Sequence, residues 1–172
     1  MRKPLIILGL VGLLTASFAA PAAAARPTLV SRAAAISAQT GEFSTLLSIA
    51  GQYDGIVDAL SGKGQLTLFA PTNQAFADLF AFLDANGIAL DADTIETVLL
   101  YHVTAGRWSG DRLSGQSEIT MLSGETATVS ASGGVSINGA NVVVADVAAS
   151  NGFIHAIDAV LVPPSVLAAL AG

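Results

Sequence analysis

The residues best equipped for chemistry are two histidines, His102 and His155, since an imidazole can ligate a metal or move a proton near neutral pH. They stand 53 positions apart, and neither has a partner at the short His-x-x-x-His or Cys-x-x-Cys spacing of most metal sites. A serine hydrolase would need its nucleophile on a tight turn, and the chain has no Gly-x-Ser-x-Gly. Gly51, Gly55, Gly62 and Gly64 lack the Lys-Ser/Thr pair of a phosphate loop and have no strand before them in the right frame. Both histidines follow apolar neighbours. A buried neutral imidazole that gives one ring N–H to a backbone carbonyl or an Asp accounts for each of them. No enzymatic activity, cofactor or metal is expected.

The elements that position these side chains are arranged around one strand–turn–helix. Leu66 to Ala70 is a short apolar run of strand formers, and Pro71, which has no N–H, must end the ladder. Thr72 and Asn73 are both helix N-cap types, and Phe76, Leu79, Phe80 and Leu83 follow at helical spacing, so an amphipathic helix starts here and stops at Asn86-Gly87. Before it, a helix over Leu29–Gln39 places Leu29, Arg32, Ala33 and Ile36 on one face and ends at Gly41. Two further short helices are broken by Gly51 and Gly55. After it, Asp93 and Glu96 make a capping-box start for a helix whose stripe of Ile95, Val98 and Leu99 ends on His102. Arg107 to Gly115 is a polar connection carrying Trp108, the only tryptophan.

From Gln116 the period becomes alternating. Glu118–Leu122, Ala127–Ala131, Val135–Ile137, Val142–Val147 and Phe153–Leu161 are strand-like, and Asn138-Gly139 is the clearest hairpin turn. Helices first and antiparallel strands afterwards make an α+β fold. Phe82 lies at the edge of its helix's apolar stripe. With Tyr53 and Trp108 it forms the one aromatic patch that could meet a partner or ligand, although core burial explains such residues more simply.

Composition narrows the setting. Met1-Arg2-Lys3, the apolar run Leu5–Ala20 and Ala23-Ala24-Ala25 read as a cleaved secretory leader over residues 1–25. Its loss leaves Arg26, Arg32, Lys63, Arg107 and Arg112 against thirteen acids, a net charge of −8. So acidic a chain, with its cations scattered, is a poor ligand for nucleic acid or an anionic lipid surface. There is no cysteine, hence no disulfide and no lipid-bearing Cys, and no Asn-x-Ser/Thr sequon. The mature chain, 26–172, is expected to be secreted or periplasmic and not to span a membrane.

Thr67 to Phe76, Thr-Leu-Phe-Ala-Pro-Thr-Asn-Gln-Ala-Phe, resembles the first signature of the fasciclin (FAS1) domain family. Leu99–Val103 resembles its Tyr-His motif and Asn151–Pro163 its second signature, and together the resemblance covers about 29–163, leaving 164–172 as a tail. It implies a β-sandwich or wedge of short antiparallel strands with several helices in the N-terminal half. The matching positions are Phe69, Pro71, Thr72, Asn73, Phe76, Tyr101, His102, Asn151, Gly152, His155 and Asp158, whose implied roles are mainly structural. It also implies a non-enzymatic module for cell adhesion or for contact with extracellular protein or matrix, the partner being a protein or glycan of the cell surface or matrix. A lone domain would then need to form homo-oligomers or bind another envelope component. In animal members the Tyr-His neighbourhood is implicated in integrin recognition, which makes Tyr101 a candidate contact. There is no Arg-Gly-Asp here, the local order being Arg107-Trp-Ser-Gly-Asp111. The alternative the family offers is carriage of a carotenoid or lipid in an apolar groove bordered by the helical half and Trp108.

Overall fold

The computed structural model describes residues 26–171, and the expected leader lies outside them. The N-terminal half holds α1 (Leu29–Thr40), α2 (Ser44–Ala50), α3 (Asp54–Ser61), β1 (Leu66–Pro71), α4 (Asn73–Ala85) and α5 (Ala92–Leu100). Then come β2 (Val103–Ala105), α6 (Gly110–Ser114), β3 (Glu118–Thr120), β4 (Thr126–Ser130), β5 (Ser136–Ile137), β6 (Ala140–Ala149), β7 (Gly152–Ile157) and α7 (Pro164–Leu170). The class is α+β, as the period change implies.

Local chemistry sets most boundaries. Thr72 caps α4, its hydroxyl accepting from the Ala75 N–H at 3.2 Å. Asn138 and Gly139 both have positive φ, as a two-residue turn between β5 and β6 requires. Pro71 is the last residue of β1 and still sits opposite Ile157, because a missing N–H is harmless at a strand end.

The strand order is β2-β1-β7-β6-β5-β4-β3. It departs from the all-antiparallel expectation between its second and third strands, where β1 and β7 pair in parallel over their full length, Leu66 opposite Gly152 through Pro71 opposite Ile157. The outer strands close on each other: Thr104 bridges Met121, and the Leu122 N–H donates to the Val103 carbonyl at 2.7 Å.

Side-chain alternation along β1 and β7 divides the interior into two cores. Leu66, Leu68, Ala70, Ile154 and Ala156 face the helices and pack with Leu29, Ala33, Leu46, Ile56 and Phe76. Phe69 and Ile157 face the other way, into a core of Tyr101, Leu113, Ile119, Met121, Val129 and Ile137 enclosed by the curled strands.

Four local expectations are corrected. The N-cap of α5 is Asp91, whose carboxylate accepts from the Thr94 N–H at 2.8 Å, two residues before the expected Asp93. Arg32 is exposed although Leu29 and Ala33 of the same helix are buried, because the buried stripe is narrower than the helical wheel allows. The Arg107–Gly115 connection contains α6, capped by Ser109. Phe80 is 46% exposed, since α5 stands away from this part of α4 and leaves the outer half of its stripe uncovered.

Candidate functional site

Four of the motif residues, Phe69, Pro71, Gly152 and His155, lie on β1 and β7, the strands that divide the two cores. His102 follows α5, and its ring bonds two backbone groups: Nδ1–H donates to the Val98 carbonyl at 2.6 Å, and Nε2 accepts from the Leu161 N–H at 2.9 Å. One neutral tautomer satisfies both bonds. Burial pushes its pKa down to about 4, the Val98 carbonyl pulling weakly the other way. On β7, His155 donates from Nε2 to the Trp108 carbonyl at 2.7 Å and accepts at Nδ1 from the Asp146 N–H at 3.3 Å. Its ring stacks on Phe69 at 5.6 Å between centroids. Burial lowers its pKa as well, against the Trp108 carbonyl and the Asp146 charge. With both ring nitrogens of each imidazole engaged by backbone, neither is free to ligate or to shuttle a proton. Among the described residues no cluster of His, Cys, Asp and Glu could hold a metal ion.

Asn151 is the buried link between sheet and helices. Its Oδ1 accepts from the Leu29 N–H at 2.9 Å, starting α1, and its Nδ2 donates to the carbonyl of Leu60 at 2.8 Å, ending α3. Beside it, a Cβ on Gly152 would lie 1.6 Å from the Leu66 carbonyl oxygen, so β1 and β7 can approach only because that atom is missing. Asp158 bonds both the backbone and side-chain nitrogens of Asn141, at 2.7 and 2.9 Å. Tyr101 is 0% exposed; its hydroxyl donates to the Thr126 carbonyl at 2.7 Å and accepts from Asn138 at 2.6 Å. Burial raises its pKa, Asn138 opposing the shift. A side chain with no surface cannot touch a partner, which corrects the contact role considered for Tyr101.

Asn73 does more than start α4. Its Nδ2 donates to the Gly41 carbonyl at 2.7 Å, its Oδ1 accepts from the Thr45 N–H at 3.2 Å, and its own N–H donates to Glu42 at 3.1 Å. It thereby caps α2, whose own N-cap position, Phe43, has no capping side chain.

The same corner opens into an apolar groove of about 430 Å³ between α2, α4 and α5. Its walls include Ile49, Phe76, Leu79, Phe80, Ile88 and Ile95, with Tyr53, Gln52 and Asp84 at its polar margin. A smaller apolar cavity of about 80 Å³ lies on the other side of α2, and Leu99 touches both spaces.

The candidate aromatic patch is not assembled. Tyr53 lines the groove; Phe82 is 54% exposed and lies outside it; Trp108 covers the strand-side core and donates from Nε1 to the Ala105 carbonyl at 2.9 Å. The groove is therefore bounded by α2, α4, α5 and the connections that follow α2 and α4, and Trp108 has no part in it. Its wall residues Ile49, Leu79, Ile88, Leu90 and Ile95 were not singled out by motif. The signal for them was a surplus of large apolar residues on α2, α4 and α5 and in the α4–α5 connection, where Ile88 and Leu90 stand, over what one packed face consumes.

Comparison with known proteins gives the lineage. The sequence profile of the Fasciclin domain matches residues 41–163. A Synechocystis relative, protein sll1483, is 37% identical over 164 residues, covering 90% of each chain. The cell surface glycolipoprotein MPB83 of Mycobacterium bovis is 36% identical over 110 residues, 64% of this chain and 49% of its own length, so this chain spans about half of it. The structure of a FAS1 domain pair from the insect cell adhesion molecule fasciclin I matches with a TM-score of 0.54 at 22% identity, over 73% of this chain and 47% of that one. No helix among the described residues is long and apolar enough to cross a membrane. The strand–Pro–helix turn, the buried Tyr101-His102 pair and the Asn151-Gly152 link thus belong to a known scaffold, and the chain is a member of the fasciclin domain family.

Proposed function

We propose that this chain is an exported FAS1 module of the cell envelope that works by non-covalent recognition, mediating adhesion through a protein or glycan of the cell surface or matrix. The observation that carries the reading is its family membership alongside a cell surface glycolipoprotein and a cell adhesion molecule. The histidine geometry agrees with it, because both imidazoles serve the backbone and none is left for acid–base work. The test is a deletion strain complemented with the intact chain. Reduced attachment or biofilm formation, restored on complementation, is expected; unchanged attachment refutes the reading.

The groove between α2, α4 and α5 favours a second reading, a carrier of a hydrophobic molecule such as a carotenoid or lipid. Its volume falls within the range of small-molecule sites, and its walls are apolar. Protein purified undenatured from its own host should then yield a stoichiometric pigment or lipid on organic extraction, and Leu79→Asp should empty it. A clean apoprotein removes this reading.

A further inference from the structure

Lys and Arg are rare among the described residues, yet Arg107 and Arg112 share one corner, in the connection from β2 through α6. The connection is fastened along its length. The Gly106 N–H donates to the Gln65 carbonyl at 2.7 Å, the Trp108 N–H to Thr67 Oγ1 at 2.9 Å, and the Gly110 N–H to Asp146 Oδ1 at 2.8 Å. Each guanidinium lies over an aromatic ring: Arg107 is 4.7 Å from the Phe153 centroid and Arg112 is 5.5 Å from that of Trp108. Arg112 Nη1 also donates to the Arg107 carbonyl at 3.1 Å. Among the described residues neither head is hydrogen-bonded to a carboxylate. The two acids of this corner are otherwise placed, Asp146 turned to the Gly110 N–H and Asp111 on the first turn of α6. Stacking orients a guanidinium without consuming its N–H donors; Arg112 gives one of its donors to the Arg107 carbonyl and keeps the others, and such forks match a carboxylate bidentately.

We propose that the Arg107–Arg112 corner binds an acidic glycan through the carboxylate of a uronic-acid sugar; this rests on the adhesion reading above and names its partner. A carboxylated pyranose combines an apolar C–H face with an anion at its edge. The corner offers the counterpart, two half-buried rings beside two donor forks. Asp111 and Asp146 leave little local excess of positive charge, which disfavours a dense polyanion such as nucleic acid. At physiological salt, charges more than about 8 Å away are largely screened, so a single carboxylate docked on this corner answers mainly to the two guanidinium groups and the two acids beside them.

The test titrates the mature chain, by calorimetry, with oligogalacturonate, its neutral galactose counterpart and oligoglutamate, using wild type, R107Q, R112Q and the double variant, with R32Q as control. Oligogalacturonate alone is expected to bind. Each single change should weaken it about tenfold, as loss of a charge-assisted bond does, and the double change should abolish it while R32Q has no effect. Absent binding, or binding untouched by the double variant, overturns the proposal. Oligoglutamate binding as tightly overturns the glycan assignment in favour of acidic peptide. Attachment that depends on the chain but ignores R107Q/R112Q refutes this site and leaves adhesion standing. An indifferent deletion strain with intact oligogalacturonate binding does the reverse.

Discussion

Acidification should weaken this fold through one imidazole before its carboxylates are titrated. His102 is enclosed, and its Nε2 lone pair is already committed to the Leu161 N–H, so a proton there would replace an acceptor by a donor facing a donor. Burial accordingly holds its pKa near 4, against a usual value of 6.5. Above pH 6.5 the ring is neutral folded or unfolded and contributes nothing to pH dependence. Between 6.5 and about 4 the unfolded chain takes up a proton that the native chain refuses, so stability falls as pH falls; below 4 both states are protonated and this loss stops. At about 1.4 kcal/mol per pH unit the interval amounts to roughly 3 kcal/mol, a large share of the ~5–15 kcal/mol that holds a domain together. His155, shifted in the same direction by burial, adds to the trend.

The assay is urea unfolding at intervals from pH 7.5 to 4.5 together with NMR titration of the imidazole Cε1–H resonances. The His102 signal of the folded protein should stay flat from pH 8 to 5, and His102→Gln should flatten the stability curve between pH 6.5 and 4.5. A folded-state midpoint near 6.5, or parallel curves for wild type and variant, refutes the reasoning. Should the variant not fold, the titration decides alone.

Three further outcomes follow from packing. Gly152→Ala drives a Cβ into the Leu66 carbonyl and should yield no soluble folded protein, whereas Gly64→Ala, with nothing within 4 Å, should stay within about 0.5 kcal/mol of wild type in urea unfolding; a folded Gly152→Ala would disprove the close approach of β1 and β7. Asn73→Ala removes the remote cap of α2 and should cost roughly 1–2 kcal/mol, with faster hydrogen exchange over Thr45–Leu47; unchanged exchange would mean that α2 is held by other groups. Phe76→Ala should cost about 3 kcal/mol and Phe80→Ala under ~1 kcal/mol, because the first ring is buried and the second forms the open wall of the groove; equal costs would contradict that geometry.

What was legible in the sequence is what a few adjacent residues decide. Pro71 ends a strand wherever the strand lies, Thr72 caps whatever helix follows, and Asn138-Gly139 turns a hairpin by its own φ preferences. The parallel pairing of β1 with β7 is decided by partners far apart in the chain and by the missing side chain of Gly152, so alternation alone suggested a plain meander. Asp91 and Asp93 each stand three residues before a usable partner, and local chemistry does not choose between them. The five-residue α6 is too short to show a period. Phe80 belongs to an unbroken apolar stripe; its exposure depends on how far α5 stands from α4, which spacing cannot express. For the site the limit was similar, since His102, His155 and Asn151 bond backbone atoms, and backbone partners leave no trace in residue types.

That pattern explains why the family is so much easier to read than the function. The signature residues occupy the seam where β1 and β7 separate two cores. There a neutral histidine, an asparagine and a glycine satisfy or admit backbone groups that would otherwise be buried unpaired. Such positions are constrained by the scaffold whatever the domain binds. The walls of the groove and the stacked arginines lie outside the signatures, on surfaces the seam supports without dictating. Two chains can therefore share every signature residue and recognise different partners, and it is at Leu79, Phe80, Arg107 and Arg112 that the activity of this one must be sought.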